Sequence, residues 1–297
     1  MKLTVETEVP QKDVVVYGGD HSPWVQAVLL GLHLKHVSYR VHSFPPRKVF
    51  RFSGVLMPAL RLNDDSWLLQ SQDILEAYGY GRLERDDFRA LLKALVGGAH
   101  RVDSTIRFWR LWSWVADEHR NPFVRLRNVM FRPFLVLYFN VALTRLKQVP
   151  QALPSLIQIR ENYLPWQQAL EETGTPFLDG DKPGLRDIYL FAAVQLHASM
   201  PVPPMDVLCT DPELDRLRAW VYEMQKACVG YRHMYSVKYF PVDGGVQPDR
   251  SSLCERAGFW LGSALILLLA PITVPWVRKK MGMVRRNGLI VRSVRIE

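Results

Sequence analysis

The sequence predicts a small α/β domain followed by an all-helical domain, with an apolar segment and a basic tail behind them. Three observations predict it. Up to about residue 82, apolar β-branched runs alternate with an amphipathic helix and a hairpin pattern. From 83 to about 245, helix-period patterns follow one another with no strand signal of comparable strength. The 297 residues, 48% of them hydrophobic, supply cores for two domains of ordinary size.

The first domain is expected over residues 12–82. "VVVY" (14–17) reads as a short buried strand, and the turn "GGDHS" leads into a helix with Trp24, Val25, Val28, Leu29 and Leu32 at helical spacing. "VSYRVHSF" alternates like a second strand, which completes a β-α-β unit. After the Pro/Arg-rich connection "PPRKVFRFSG" come a strand "LMPALRL", an "NDDS" turn, a strand "WLLQ" and a helix opening at Ser71. The pattern asks for a sheet of about four strands.

The second domain, residues 83–245, reads as helices only. "RDDFRALLKALVGGAHRVDSTIRFWRLWSWVADEH" is one long helical stretch with a break expected near Gly97-Gly98. "FRPFLVLYFNVALTRLKQV", "IRENYLPWQQALEETG", "GLRDIYLFAAVQLHAS" and "DPELDRLRAWVYEMQKACV" follow. Beyond them, 257–277 hold no charge for 21 positions. At 1.5 Å rise per residue that reaches about 30 Å, so the segment is a candidate transmembrane or re-entrant helix, Pro271 and Pro275 offering a kink, with a helix folded onto the second domain as the other reading. Residues 278–297 form a basic tail with seven Lys/Arg and one acid, Glu297, part of a formal net charge of +9. Such a flank suits an anionic membrane surface. No nucleic-acid motif accompanies it, so no nucleic-acid partner is expected.

Cysteine usage and the N-terminus bound the compartment. Cys209, Cys228 and Cys254 are odd in number, widely spaced and outside any metal-ligand pattern, so reduced thiols and no metal site are expected. "MKLTVETEVPQKD" has no signal-peptide apolar region. The expected placement is membrane-associated, with both domains facing the cytosol.

Three positions carry candidate chemistry. Ser22 precedes Pro23 at a helix start directly after the first strand. It either caps the helix or points its hydroxyl at a ligand held where the helix dipole is positive. Pro58 opens a strand as an edge residue or as a cis proline, and a cis bond would let the Met57 main chain meet a peptide-like ligand. Ser71, after Gln70, is a second helix start, and the pair could bind a carboxylate.

Together "YGGDHSPWVQAV", "MPAL", "QSQDILEAY" and "PFLDGDKPGLRDIYLFAAV" resemble the ordered motifs of the glutathione S-transferases, over about residues 13–230. The resemblance implies a thioredoxin-like N-terminal domain and a helical C-terminal one. It also implies glutathione as co-substrate, with Met57 and Pro58 on its cysteinyl part, Gln70 and Ser71 on its γ-glutamyl carboxylate, and Ser22 on its sulfur. Tyr17 is the runner-up for the sulfur, and a cation for the glycyl carboxylate is implied near Arg47, Lys48 and Arg51. A hydrophobic electrophile would lie between Trp24 and the stretch Phe108, Trp109, Trp112. Gly184, three before Asp187, departs from the family's Ser or Thr. The family also includes dimers, so a homodimer is compatible. The leading expectation is a membrane-associated glutathione transferase acting on apolar electrophiles. The alternative is a non-catalytic adaptor of the same fold that binds protein partners or lipid.

Overall fold

The computed structural model describes residues 14–54, 56–62, 66–95, 109–110, 112–117, 119–145, 155–199, 202–246, 248–276 and 279, without the side chains of 138–145. Phe108, the Gly97-Gly98 break and nearly all of the basic tail lie outside them.

The first domain is built as β1 (Val14–Tyr17), α1 (Pro23–Leu34), β2 (Tyr39–His42), α2 (Arg47–Ser53), β3 (Ala59–Arg61), β4 (Trp67–Leu69) and α3 (Ser71–Ala77). The sheet order is β2-β1-β3-β4, with β1 parallel to β2 and the other two pairs antiparallel. The four strands agree with the sequence. The short helix α2 does not, because seven residues following two prolines carry too little periodicity to register.

Tyr17 points to the side of the sheet that α2 covers, where it is fully buried with Val15, Val49, Ala59 and Trp67. Val14 and Val16 face the other side and join one continuous core with α1 and the helical domain. Alternation along one strand thus divides the residues between two layers.

The helices that follow are α4 (Arg85–Ala94), α5 (Pro122–Arg145), α6 (Leu156–Thr173), α7 (Leu185–Ser199), α8 (Pro203–Thr210), α9 (Asp215–Ala227) and α10 (Leu253–Leu268). A short helix α11 (Ala270–Trp276) follows α10. Helix α7 is the buried centre, with Ile188 through Ala198 almost wholly inside and α1 packed along it.

Its start explains the missing hydroxyl at Gly184. The Asp187 carboxylate accepts from the amides of Gly184 (3.0 Å), Leu178 (2.8 Å) and Asp179 (3.2 Å) and from Trp220 Nε1 (2.8 Å). The Asp179 carboxylate accepts from the Arg186 amide and lies where a Cβ on residue 184 would be, 2.3 Å from it. An acid from the preceding loop serves the turn, and its closeness requires glycine.

The described residues 257–276 do not form one spanning helix. No single described helix is long and apolar enough to cross a membrane; α10 and α11 meet that measure only as a pair, and they are bent by 84° to one another. Moreover, α10 belongs to the helical domain. Ser252 and Glu255 form a capping box at its start. Glu255 also accepts from the Asp117 amide (3.1 Å) and pairs with Arg125 (3.1 Å). Gly258, Phe259, Gly262 and Ser263 are buried on the side that meets α5.

Candidate functional site

The candidate site lies where β1 turns into α1. Gly18 has φ +152°, and a Cβ there would lie 2.4 Å from Val25, so the turn depends on glycine to fold this closely over the helix. Pro23 occupies the first helical position, where its missing N–H costs nothing.

Ser22 has the extended backbone of an N-cap, yet its side chain makes no cap hydrogen bond. Its amide donates to the Gly19 carbonyl (2.9 Å), which fixes the turn while the hydroxyl takes no part in capping. Of the two roles open in the sequence, the local one is not the one adopted. The hydroxyl stands half-buried at the N-terminus of a 12-residue helix, where the aligned peptide dipoles favour negative charge.

The Met57–Pro58 peptide is cis. Pairing of β3 with β1 begins at Ala59 opposite Tyr17, so the Met57 main chain lies beyond the ladder, facing the same corner. The Gly19 amide donates to Met57 Sδ (3.2 Å), which joins the two sides of the corner through a sulfur atom. Gln70 follows β4 with φ +68°, uncommon for a residue with a Cβ, and its side chain is exposed. Ser71, buried next to it, accepts a hydrogen bond from Tyr189 Oη of α7 (3.0 Å). That bond occupies a lone pair of Ser71 Oγ and leaves its proton to point elsewhere.

A polar cluster that the sequence does not announce holds the turn from outside. The Asp20 carboxylate accepts from Tyr235 Oη (2.6 Å) and pairs with His233 Nδ1 (3.0 Å), and His21 Nε2 stands 3.5 Å from its other oxygen. Burial acts to raise the Asp20 pKa, but His21, His233 and Tyr235 outweigh it and hold the carboxyl well below the usual range. Burial lowers the pKa of His21, whose ring meets Trp112 in a T-shaped contact at 5.5 Å. Tyr231 donates to Gln26 of α1 (2.6 Å), and Gln26 donates to the His233 carbonyl (3.2 Å). In the sequence, "YRHMY" shows only ring residues two apart, with nothing to pair them to residues some 213 positions away.

His21 and Tyr235 also form part of the wall of a cavity of about 260 Å³, together with Trp114, Val115, Ser199, Lys238 and residues 248–250. This cavity differs from the pocket expected between Trp24 and the aromatic stretch. Trp24 is stacked on Phe88 (5.8 Å) and set edge-on to Tyr189 (6.1 Å), inside the seam between the domains. Trp109 donates to Ser263 Oγ (2.8 Å) and packs near Phe259, so it anchors α10. Trp112 backs His21, and the tryptophan in the cavity wall is Trp114. Tyr17, buried on the far side of the sheet, does not face the corner. Arg47, Lys48 and Arg51 are exposed on α2. Among the described residues no group of three or more His, Cys, Asp or Glu could hold a metal ion.

No family model and no curated protein matches the chain. Glutathione transferases are among the solved structures that resemble it. Gtt2 from Saccharomyces cerevisiae has 18% sequence identity and a TM-score of 0.43, the match covering 73% of this chain and 99% of that one. A theta class glutathione S-transferase from the citrus canker pathogen Xanthomonas axonopodis pv. citri, with glutathione bound, has 18% identity and a TM-score of 0.37, covering 78% and 98%. FzlA from C. crescentus has 13% identity and a TM-score of 0.42, covering 83% and 99%.

Proposed function

We propose that the chain is a glutathione transferase that works beside a membrane and conjugates glutathione to apolar electrophiles. The observation that carries this reading is the Ser22 hydroxyl, at the N-terminus of α1 yet unused for capping. Glutathione would lie across the corner with its cysteinyl part on the Met57 main chain beside Pro58. Its γ-glutamyl carboxylate would lie at Gln70 and Ser71, where the hydroxyl proton directed by Tyr189 meets an acceptor.

The thiol then sits at Ser22. Hydrogen bonding to the sulfur and the helix dipole stabilise the thiolate, which lowers a thiol pKa from about 8.5 toward neutrality at about 1.4 kcal/mol per unit. The thiol proton leaves to water. A sulfur lone pair forms the C–S bond as the electrophile's leaving group departs with its bonding pair. Alternatively, the π electrons of an activated double bond move to an atom that takes a proton from water. The cavity beside His21, with Trp114 and Val115 in its wall, is the place for the apolar part of that electrophile. No cysteine lies at the corner, so thiol–disulfide exchange by the protein itself is not the chemistry proposed.

The adaptor reading has one observation in its favour. The Gly19 amide, a donor of the corner, is already taken by Met57 Sδ. Isothermal titration of the full chain with glutathione separates the two. Micromolar to millimolar binding, weakened about tenfold or more by Ser71→Ala, supports the transferase. Ser22→Ala should then bind glutathione and lose conjugation. No binding, or an unchanged rate in Ser22→Ala, would leave the adaptor reading standing.

A further inference from the structure

We propose that the outer faces of α10 and α11, with the basic helix α2 beside them, form a docking surface that lies in the headgroup layer of an anionic bilayer without crossing it. This specifies how the membrane association proposed above is made, and it does not depend on glutathione.

Helix α10 is apolar on two sides. Its inner side is committed to α5, where a Cβ on Gly262 would lie 2.0 Å from the Met130 carbonyl oxygen. Its outer side carries Ala257, Trp260, Leu261, Ala264, Leu265 and Leu268, all exposed, with Leu268 77% accessible. Their spacing is that of a core-facing stripe, and it faces outward, where globular helices place polar residues. At 16 residues α10 extends about 24 Å, short of a bilayer core, and it cannot enter one while its glycines lie against α5. The 84° bend turns the chain along the protein surface and presents Ile272, 72% accessible.

Charge decides the occupant. Trp276 of α11 stacks on Phe50 of α2 at 5.9 Å and packs on Phe134 of α5 at 5.7 Å, which sets the apolar surface beside the exposed Arg47, Lys48 and Arg51. The sequence holds no Asp or Glu from 43 to 62, and from 256 onward only Glu297. An apolar face rimmed by cations without acids fits anionic lipid, whose acyl boundary takes Trp and Leu and whose headgroups take Arg and Lys. A second copy would bring a surface of the same sign.

The test is vesicle flotation of the full chain, with phosphatidylcholine alone and with about one third phosphatidylserine. Binding should be about tenfold or more stronger with phosphatidylserine and reversed by alkaline carbonate. It should be lost in Leu261→Glu/Leu265→Glu and in Arg47→Glu/Lys48→Glu, whose circular-dichroism melts should match the parent because these side chains are exposed. Carbonate-resistant binding, or binding unaffected by Leu261→Glu/Leu265→Glu, would overturn surface docking while membrane association stands. No binding to either vesicle would overturn both, whatever the glutathione titration shows. A dimer abolished by Leu261→Glu/Leu265→Glu, with no flotation, would assign the face to a second copy and overturn the lipid.

Discussion

Replacing Gly262 and Gly258 by alanine, one at a time, tests whether α10 is a helix of the folded domain. The two glycines lie one turn apart on the same face, so both substitutions gain the same helix propensity, about 1 kcal/mol. They differ in what the new methyl meets. At Gly262 it lies 2.0 Å from the Met130 carbonyl oxygen and 3.0 Å from its Cα, main-chain atoms inside α5. A carbon–oxygen contact relaxes to about 3.3 Å, so the helices must part by about 1.3 Å, and overpacking against backbone costs about 3 kcal/mol. At Gly258 the nearest atom is Leu126 Cδ1 at 2.7 Å, the end of a partly exposed side chain that can turn away. Gly262→Ala should therefore be about 2 kcal/mol less stable than the parent, and Gly258→Ala close to the parent or up to about 1 kcal/mol more stable. Urea unfolding of the full chain, followed by tryptophan fluorescence, measures both; Trp109, bonded to Ser263, reports on this interface directly. Equal or raised stability in Gly262→Ala would refute the packing, because a helix free of α5 responds to propensity alone.

Two further outcomes follow from the polar contacts. Tyr189→Phe removes the bond that directs the Ser71 proton, and it should weaken glutathione binding several-fold in titration while leaving conjugation at saturating glutathione unchanged; unaltered affinity would detach Tyr189 from the site. Burial lowers the folded-state pKa values of His21 and His33, so below about pH 6.5 the unfolded chain binds protons that the folded chain refuses, and stability falls with falling pH. Asp20, held below the ordinary carboxylate range, keeps its contribution through that window and loses it only at lower pH. Melting temperature should therefore drop between about pH 7 and pH 5, with His21→Asn flattening the drop; a flat profile in the parent would refute it.

Much of the first domain is legible because its signals are local. A continuous apolar run marks β1, alternation marks β2, Ser-Pro marks the start of α1, and the turn pattern marks the β3–β4 hairpin. Ser22, Met57, Pro58, Gln70 and Ser71 stand out for the same reason, and the structure brings their segments to neighbouring ends of β1, β3 and β4. What the sequence hides is pairing at a distance. Asp20 with His233 and Tyr235, or Ser71 with Tyr189 at a separation of 118, leaves no periodic trace. Composition likewise shows 21 uncharged residues, and Pro271 and Pro275 announce a kink, without showing that one side is already occupied. Trp24, packed in the seam on Phe88 and Tyr189, and Trp109, packed against α10, carry no mark in the sequence that separates such packing from a place beside a site.

The distant pairings tie the cavity to the surface proposed to meet lipid. Residues 113–115 and 250–251 are bound to each other by the Val115–Arg250 bridge, by the Ser251 amide to the Trp114 carbonyl (3.1 Å) and by Ser251 Oγ to the Ser113 carbonyl (2.8 Å). The first residue of the α10 capping box follows at once, and the Arg256 guanidinium lies 4.4 Å from the Trp114 ring centre. One wall of the cavity is therefore tied to the start of the helix whose outer face is apolar, and we predict that a molecule dissolved in the headgroup layer reaches the cavity past Trp114. Addition of anionic vesicles should then raise the rate with a lipid-partitioning electrophile above that with a water-soluble one of equal reactivity. Leu261→Glu/Leu265→Glu should abolish that difference while leaving the soluble electrophile's rate unchanged. Equal acceleration of both electrophiles, or none, would separate the cavity from the membrane face and leave the bridge between 115 and 250 a matter of stability alone.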